Sequence, residues 1–267
     1  MFNFVLNALS ASMLLTAAVV DKPGVKFCES SACQVIEDPV AARLELSRQH
    51  LVSVASNDPV VMENFEAFAQ DLMTAYRKEK SFTSEEIERI CAAVDFAADK
   101  HRLQTRKNKE KTPYISHPIG VAYNLVHFGD VRDAAIIMGG LLHDTVEDTQ
   151  TSFEELEGAF GSQVAGYVRE VTDDKSLGTL DRKRMQVINA AHKSKGAAQI
   201  KLADKLYNVS DLLNSPPEGW SRTRIDRYFE WAQSVIDRLP NANEKLKSAV
   251  ATAINTYWEQ QKSSEEY

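Results

Sequence analysis

One short stretch limits the folds open to this chain more than any other. Ala134 to Leu142 reads as an apolar helix that runs directly into His143 and Asp144. Two adjacent polar groups at the end of such a helix are costly to bury unless something binds them. A divalent metal would do so, through an imidazole nitrogen of His143 and a carboxylate oxygen of Asp144. His117 upstream and Asp204 downstream would complete a His, His-Asp, Asp set. Mixed nitrogen and oxygen ligation suits Mn²⁺, Fe²⁺, Co²⁺ or Zn²⁺ better than a structural thiolate site does. It also leaves positions open for water and phosphate oxygens. On a helix, His143 and Glu147 lie one turn apart, as do Asp144 and Asp148. Taken singly, each residue has a bland alternative: a capped or core histidine, a solvated carboxylate, or, for Glu147 and Asp148, an exposed acidic helix end.

The rest of the chain reads as helices joined by short connections, an all-α bundle. Asp58 to Lys80 has Phe65, Phe68, Leu72 and Tyr76 at helical spacing. Thr83 followed by Glu86 forms a capping box, and Ile87, Ile90, Cys91, Val94 and Ala98 continue one apolar face. After a basic loop at 105–111, Pro118 disfavours helix at His117 and suits the first turn of a helix to about His127. Later helices are expected at 132–145, 153–159, 162–173, 180–193, 197–214, 222–238 and 242–260, with Ser152 and Glu155 as a second capping box. The division expected is an extension of unread role at 1–80, a main domain at 81–260 and a charged tail at 261–267.

Composition enters as a bound. A formal net charge of −7 gives no broad reason to bind nucleic acid or an anionic membrane, although a few local Lys and Arg could still hold a phosphorylated substrate. Cys28, Cys33 and Cys91 form no four-ligand zinc pattern and read as free thiols, the first two able to pair only if the protein were exported. Phe2 to Val20 is mostly apolar and resembles a signal-peptide core, but no Lys or Arg precedes it and there is no clean small-x-small cleavage site. Asn3, Asn7, Ser10, Ser12 and Thr16 interrupt it, which argues against a membrane-spanning helix. Export or anchoring stays open beside a cytoplasmic segment; the location expected is cytoplasmic.

The motifs together resemble the hydrolase domain of the RelA/SpoT family, and most closely the small alarmone hydrolases typified by the metazoan SpoT homolog. The similarity runs from about Ile90 to Trp231. It covers Asp95-Phe-Ala-Ala, Thr112-Pro-Tyr-Ile-Ser-His117-Pro-Ile-Gly-Val-Ala, Leu141-Leu-His-Asp-Thr-Val-Glu-Asp148, Glu170-Val-Thr-Asp-Asp-Lys175, Arg182-Lys-Arg, Lys201-Leu-Ala-Asp-Lys-Leu-Tyr-Asn208 and Pro217-Glu-Gly-Trp220. The resemblance implies an HD-domain helical bundle with the metal held between helices. It implies His117, His143, Asp144 and Asp204 as ligands, Mn²⁺ as the ion, and Glu147 with Asp148 as the catalytic carboxylate pair. It places Arg106 against a guanine, Lys107 near phosphate, Asn208 on the ribose or a phosphate, and Trp220, Arg224 and Tyr228 along the nucleotide pocket. Ser210 stands where the family usually has arginine, and Gly139-Gly140 replace alanines, which should loosen the helix entering the site.

The activity this implies is hydrolysis of (p)ppGpp to GDP or GTP plus pyrophosphate. No segment resembling an alarmone synthetase follows the domain. Two other readings are weighed: a phosphatase on another 2′- or 3′-phosphorylated nucleotide such as NADPH, and a module that binds alarmone without cleaving it. The partner expected is a small nucleotide, with no nucleic acid or membrane; oligomerisation is left open.

Overall fold

The computed structural model describes residues 38–265, and over them the chain is a stack of helices with a single isolated bridge, Thr105 to Pro113. The apolar first twenty residues, Cys28 and Cys33 lie outside the described residues.

Local signals start most helices where expected. Asp58 caps α2 (Pro59–Thr74), accepting from the N–H groups of Val60 and Val61, with Pro59 at the first helical position. Phe65, Phe68 and Leu72 of α2 are buried. Asp38 and Pro39 start α1 (Pro39–Val54) in the same way. The sequence reading left α1 unassigned, although its buried residues Val40, Leu44, Ser47 and Leu51 keep helical spacing. Thr83 and Glu86 form the reciprocal capping box of α3 (Ser84–His101).

α4 (Ser116–His127) corrects the expectation about His117, which lies inside the helix rather than ahead of it. Pro118 is tolerated because the first four N–H groups of a helix have no intrahelical partner to lose. α5 (Ala134–Leu142) is buried along almost its whole length and touches α3, α4, α8 (Ser162–Val171) and α10 (Lys195–Asn214). It runs unbroken through Gly139-Gly140. A Cβ on Gly139 would sit 2.7 Å from Ile200 Cδ1, and one on Gly140 2.6 Å from Leu125 Cδ1. The glycines therefore bring α10 and α4 close to α5, where loosening had been expected.

The continuous helix expected at 132–145 is divided. α5 stops at Leu142, His143 caps it, and the four-residue α6 (Thr145–Asp148) follows, with Asp144 at its N-cap, φ −97°, ψ −5°. Ser152 caps α7 (Phe153–Phe160), but only half of the expected capping box forms: Glu155 turns to Lys100 Nζ at 2.7 Å. α9 (Thr179–Asn189), α11 (Arg222–Ile236) and α12 (Glu244–Glu265) complete the order. α12 runs through residues 261–265, part of the segment read as a tail.

α1 and α2, within the segment read as an extension, pack on α3 and α4 respectively. Arg43 of α1 reaches Glu88 and Asp95 of α3 at 2.8 Å each. Asn64 of α2 donates to the Ser116 carbonyl at 3.1 Å, at the start of the helix that carries His117. No described helix is long and apolar enough to cross a membrane.

Candidate metal centre and nucleotide cleft

Four elements deliver one donor each to a single buried point. His117 comes from the first turn of α4, His143 from the end of α5, Asp144 from the break before α6, and Asp204 from the middle of α10. His117 Nε2 is 3.2 Å from His143 Nε2, 3.3 Å from Asp144 Oδ2 and 3.5 Å from Asp204 Oδ1. His143 Nε2 is 3.1 Å from Asp144 Oδ2 and 3.9 Å from Asp204 Oδ1. His143 Nδ1 faces the Gly140 carbonyl at 2.8 Å; a proton there leaves Nε2 with its lone pair toward the other donors. The helix break thus lets one dipeptide serve twice: the imidazole stays tied to α5 while the next carboxylate turns to the same point.

The donor set fits a divalent cation. Two imidazole nitrogens and two carboxylate oxygens crowd together, and a hydrogen bond can satisfy only part of such a group. Bonds of about 2.0–2.2 Å from one ion would place neighbouring donors roughly 3–3.5 Å apart, and of the distances above all but the His143–Asp204 pair at 3.9 Å fall in that range. The protons distribute unequally. Burial holds His117 down to about 4. Burial opposes a charge on His143 too, but Asp144 and Asp204 outweigh it and raise that imidazole to about 9. Burial would also raise the carboxyls; His143 nevertheless keeps Asp144 well below the ordinary range, and Lys205 and Lys201 do the same for Asp204. A cation would compete with the His143 proton for one lone pair.

Around the donors lies a layer that sequence reasoning passed over. Asp204 Oδ2 accepts from the buried Lys205 ammonium at 2.9 Å, with the buried Lys201 ammonium at 3.9 Å, while Oδ1 accepts from Asn208 Nδ2 at 2.6 Å. Tyr114 donates its hydroxyl to Asp144 Oδ2 at 2.6 Å. The signal for the lysines was present: positions −3 and +1 to Asp204 put three charges within the otherwise apolar, buried stretch 200–206, and charges are buried there only if paired.

Glu147 and Asp148 flank this centre. Glu147 Oε2 accepts from the Asp173 N–H at 3.1 Å, Oε1 is 3.8 Å from Arg182, and only 17% of the side chain is exposed. That is no solvated helix end. Burial first, then the neighbouring carboxylates, raise its pKa above the ordinary 4.5 against the Asp173 hydrogen bond. Asp148 is more open and pairs with Lys175, while Gln104 Nε2 holds its carbonyl at 2.6 Å.

A cleft of about 500 Å³ opens beside the pair, lined by Arg106, Lys107, Asp148, Asn208, Trp220 and Tyr228 among others. Arg224 reaches it indirectly, its guanidinium 4.1 Å from the centre of the Trp220 ring. Arg106 is held by Asp211 at 2.6 Å and Asn208 at 3.2 Å, close to the Tyr114 and Tyr207 rings. The structure thus brings every residue expected at the site into one contiguous region.

An all-helical bundle that buries a His, His-Asp, Asp donor set beside a carboxylate pair defines a metal-binding domain of the HD class. The family model described as HD domain matches residues 93–229. The chain belongs to the HD-domain family. It is similar to human guanosine-3′,5′-bis(diphosphate) 3′-pyrophosphohydrolase MESH1, 53% identical over 165 residues, covering 62% of this chain and 92% of that protein. The Drosophila melanogaster protein of the same name is 51% identical over 156 residues, covering 58% of this chain and 87% of that one. A solved structure, described as a metazoan ortholog of SpoT that hydrolyzes ppGpp and plays a role in starvation responses, aligns with TM-score 0.62 and 45% identity. It covers 63% of this chain and 95% of that one.

Proposed function

We propose that this chain is a metal-dependent guanosine-3′,5′-bis(diphosphate) 3′-pyrophosphohydrolase. The observation that carries this reading is the convergence of the four donors beside Glu147 and Asp148, at the mouth of a cleft large enough for a nucleoside. Similarity to the MESH1 proteins over nearly their whole length supports the substrate.

A divalent ion, when bound, would lower the pKa of a water and offset phosphate charge. The protein's own groups do the rest. Glu147, with its raised pKa, is suited to accept a proton from the attacking water. Asp148 is placed to hold that water or to return a proton to the ribose 3′-oxygen as the P–O bond breaks. Tyr114, Asn208 and Lys205 hold the ligand carboxylates in orientation. Arg106 offers its plane to a guanine, Lys107 a point charge to phosphate, and Trp220, Arg224 and Tyr228 line the nucleotide's path.

Mn²⁺ as the ion, cytoplasmic residence and a hydrolase domain spanning 81–260 belong to the same proposal. The deciding experiment is turnover of ppGpp by the metal-loaded full chain, run beside NADPH. Release of pyrophosphate is expected; binding of ppGpp without turnover would sink the enzymatic reading. Chelation should abolish activity and Mn²⁺ restore it better than Mg²⁺, which prefers oxygen ligands. A chain starting at Ser81 should keep hydrolysis, with a lower melting temperature because α2 no longer covers α4. Fractionating cells that express the full chain tests its location.

A further inference from the structure

The Arg182-Lys-Arg segment has no role in the chemistry above, yet α9 sets part of it against the site. Arg182 faces Glu147. Lys183 Nζ lies 4.6 Å from the centre of the Trp231 ring and 5.3 Å from that of Tyr228, itself a wall of the cleft. Trp231 also carries the Lys205 ammonium at 4.6 Å, and Lys205 is the ion-pair partner of the metal-site carboxylate Asp204. Lys183 thus stands one aromatic ring away from the donor cluster and next to the nucleotide cleft.

Its charge is unmatched. Three cations around the site are spent on acids: Lys205 on Asp204, Lys175 on Asp148, Arg106 on Asp211. Among the described residues Lys183 has no carboxylate within 4.0 Å, though it is half-buried and the cations Lys205 and Arg224 act on it. Burial, then those two cations, lower its pKa. The two rings give the ammonium cation–π partners but no counter-charge, and nearby Lys205 and Arg224 oppose it, so an arriving anion would supply the missing negative charge. Trp231 keeps it in place, donating its indole N–H to the Lys183 carbonyl at 3.0 Å.

We propose that Lys183 binds the terminal phosphate of the substrate's 3′-diphosphate, and so distinguishes a diphosphate from a monophosphate at that position. This rests on the hydrolase reading above. A bis-diphosphate brings more negative charge than one divalent ion would offset, which leaves work for a further cation at the outer phosphate. Lys183 is a cation without an acid partner that the fold sets against Tyr228 of the cleft wall and against Trp231, the ring that also carries Lys205.

The test uses the Mn²⁺-loaded full chain with Lys183→Met, which keeps the apolar stem over Trp231, and Lys183→Arg, which keeps the charge. Metal content and melting temperature are checked first; if Lys183→Met does not fold, Lys183→Gln replaces it. Calorimetric titration with inorganic pyrophosphate should show affinity falling roughly 10- to 100-fold in Lys183→Met and largely restored in Lys183→Arg, the scale of one charge-assisted hydrogen bond. KM for ppGpp should rise with it, while kcat/KM for guanosine 5′-diphosphate 3′-monophosphate stays within about twofold on the same argument. Unchanged pyrophosphate affinity, or an equal loss on both substrates, would overturn the assignment. If wild type binds pyrophosphate through Lys183 but does not turn over ppGpp, the hydrolase reading fails and the anion site stands.

Discussion

α10 and α9 border the same chemistry and are built in opposite ways. Twelve residues of α10 are buried, Lys201, Asp204 and Lys205 among them, whereas α9 has no buried residue at all. The charges of α10 are locked by one another in the core. The polar side chains of α9 reach the site from a helix with few packed neighbours: Arg182 to Glu147, Gln186 to Asp173, Lys183 to Trp231. The contrast teaches a division of labour. The metal half is fixed before substrate arrives, because buried charges are tolerated only in complete sets. The half proposed to meet the phosphates keeps exchangeable interactions that an incoming anion could replace.

Removing a group from the fixed half should therefore have the largest effect. Asp204→Asn is expected to lose bound metal and all measurable turnover, read by metal analysis and pyrophosphate release. A variant that kept full metal content would break the comparison. On the chemical side of the line, Glu147→Gln or Asp148→Asn should keep near-stoichiometric metal and the helical signal. Turnover in each should fall by about 10²–10⁴-fold, the scale of a lost acid–base group. Loss of metal along with activity would recast the pair as ligands.

A pH profile sharpens the division further. Glu147 must be deprotonated to act as a base, and burial raises its pKa above 4.5. The acid limb of kcat/KM should accordingly fall through a pKa above that value, activity rising with pH, and Glu147→Gln should remove this limb. A limb unchanged in Glu147→Gln would assign it to another group. The smallest effect is expected at the rim, where Lys175 and Asp148 pair with 49% and 32% of their side chains exposed. Lys175→Met should change unfolding free energy by no more than about 1 kcal/mol, since solvent screens such pairs. Chemical denaturation measures it; a loss of several kcal/mol would mean that this side of the site is also part of the fixed core.

Much of this was legible in local sequence. Caps at Asp58, Thr83 and Ser152, apolar spacing in α2 and α3, and the His-Asp pair after an apolar run are signals carried within a few residues of one another. Such signals set helix starts and residue types through hydrogen bonds and periodicity that need no distant partner. Family motifs then linked His117, His143, Asp144 and Asp204 across the chain.

What the sequence by itself determined is therefore the helical class and most element positions, with a candidate donor set. The tertiary structure decided the break between α5 and α6, which turns His143 and Asp144 to one point. It decided the close approach of α4 and α10 to Gly140 and Gly139, and the pairing of Lys205 with Asp204. It also left Lys183 without an acid. These outcomes depend on which surfaces of distant helices meet. Burial and charge balance are properties of the packed molecule, and no window along the chain contains them.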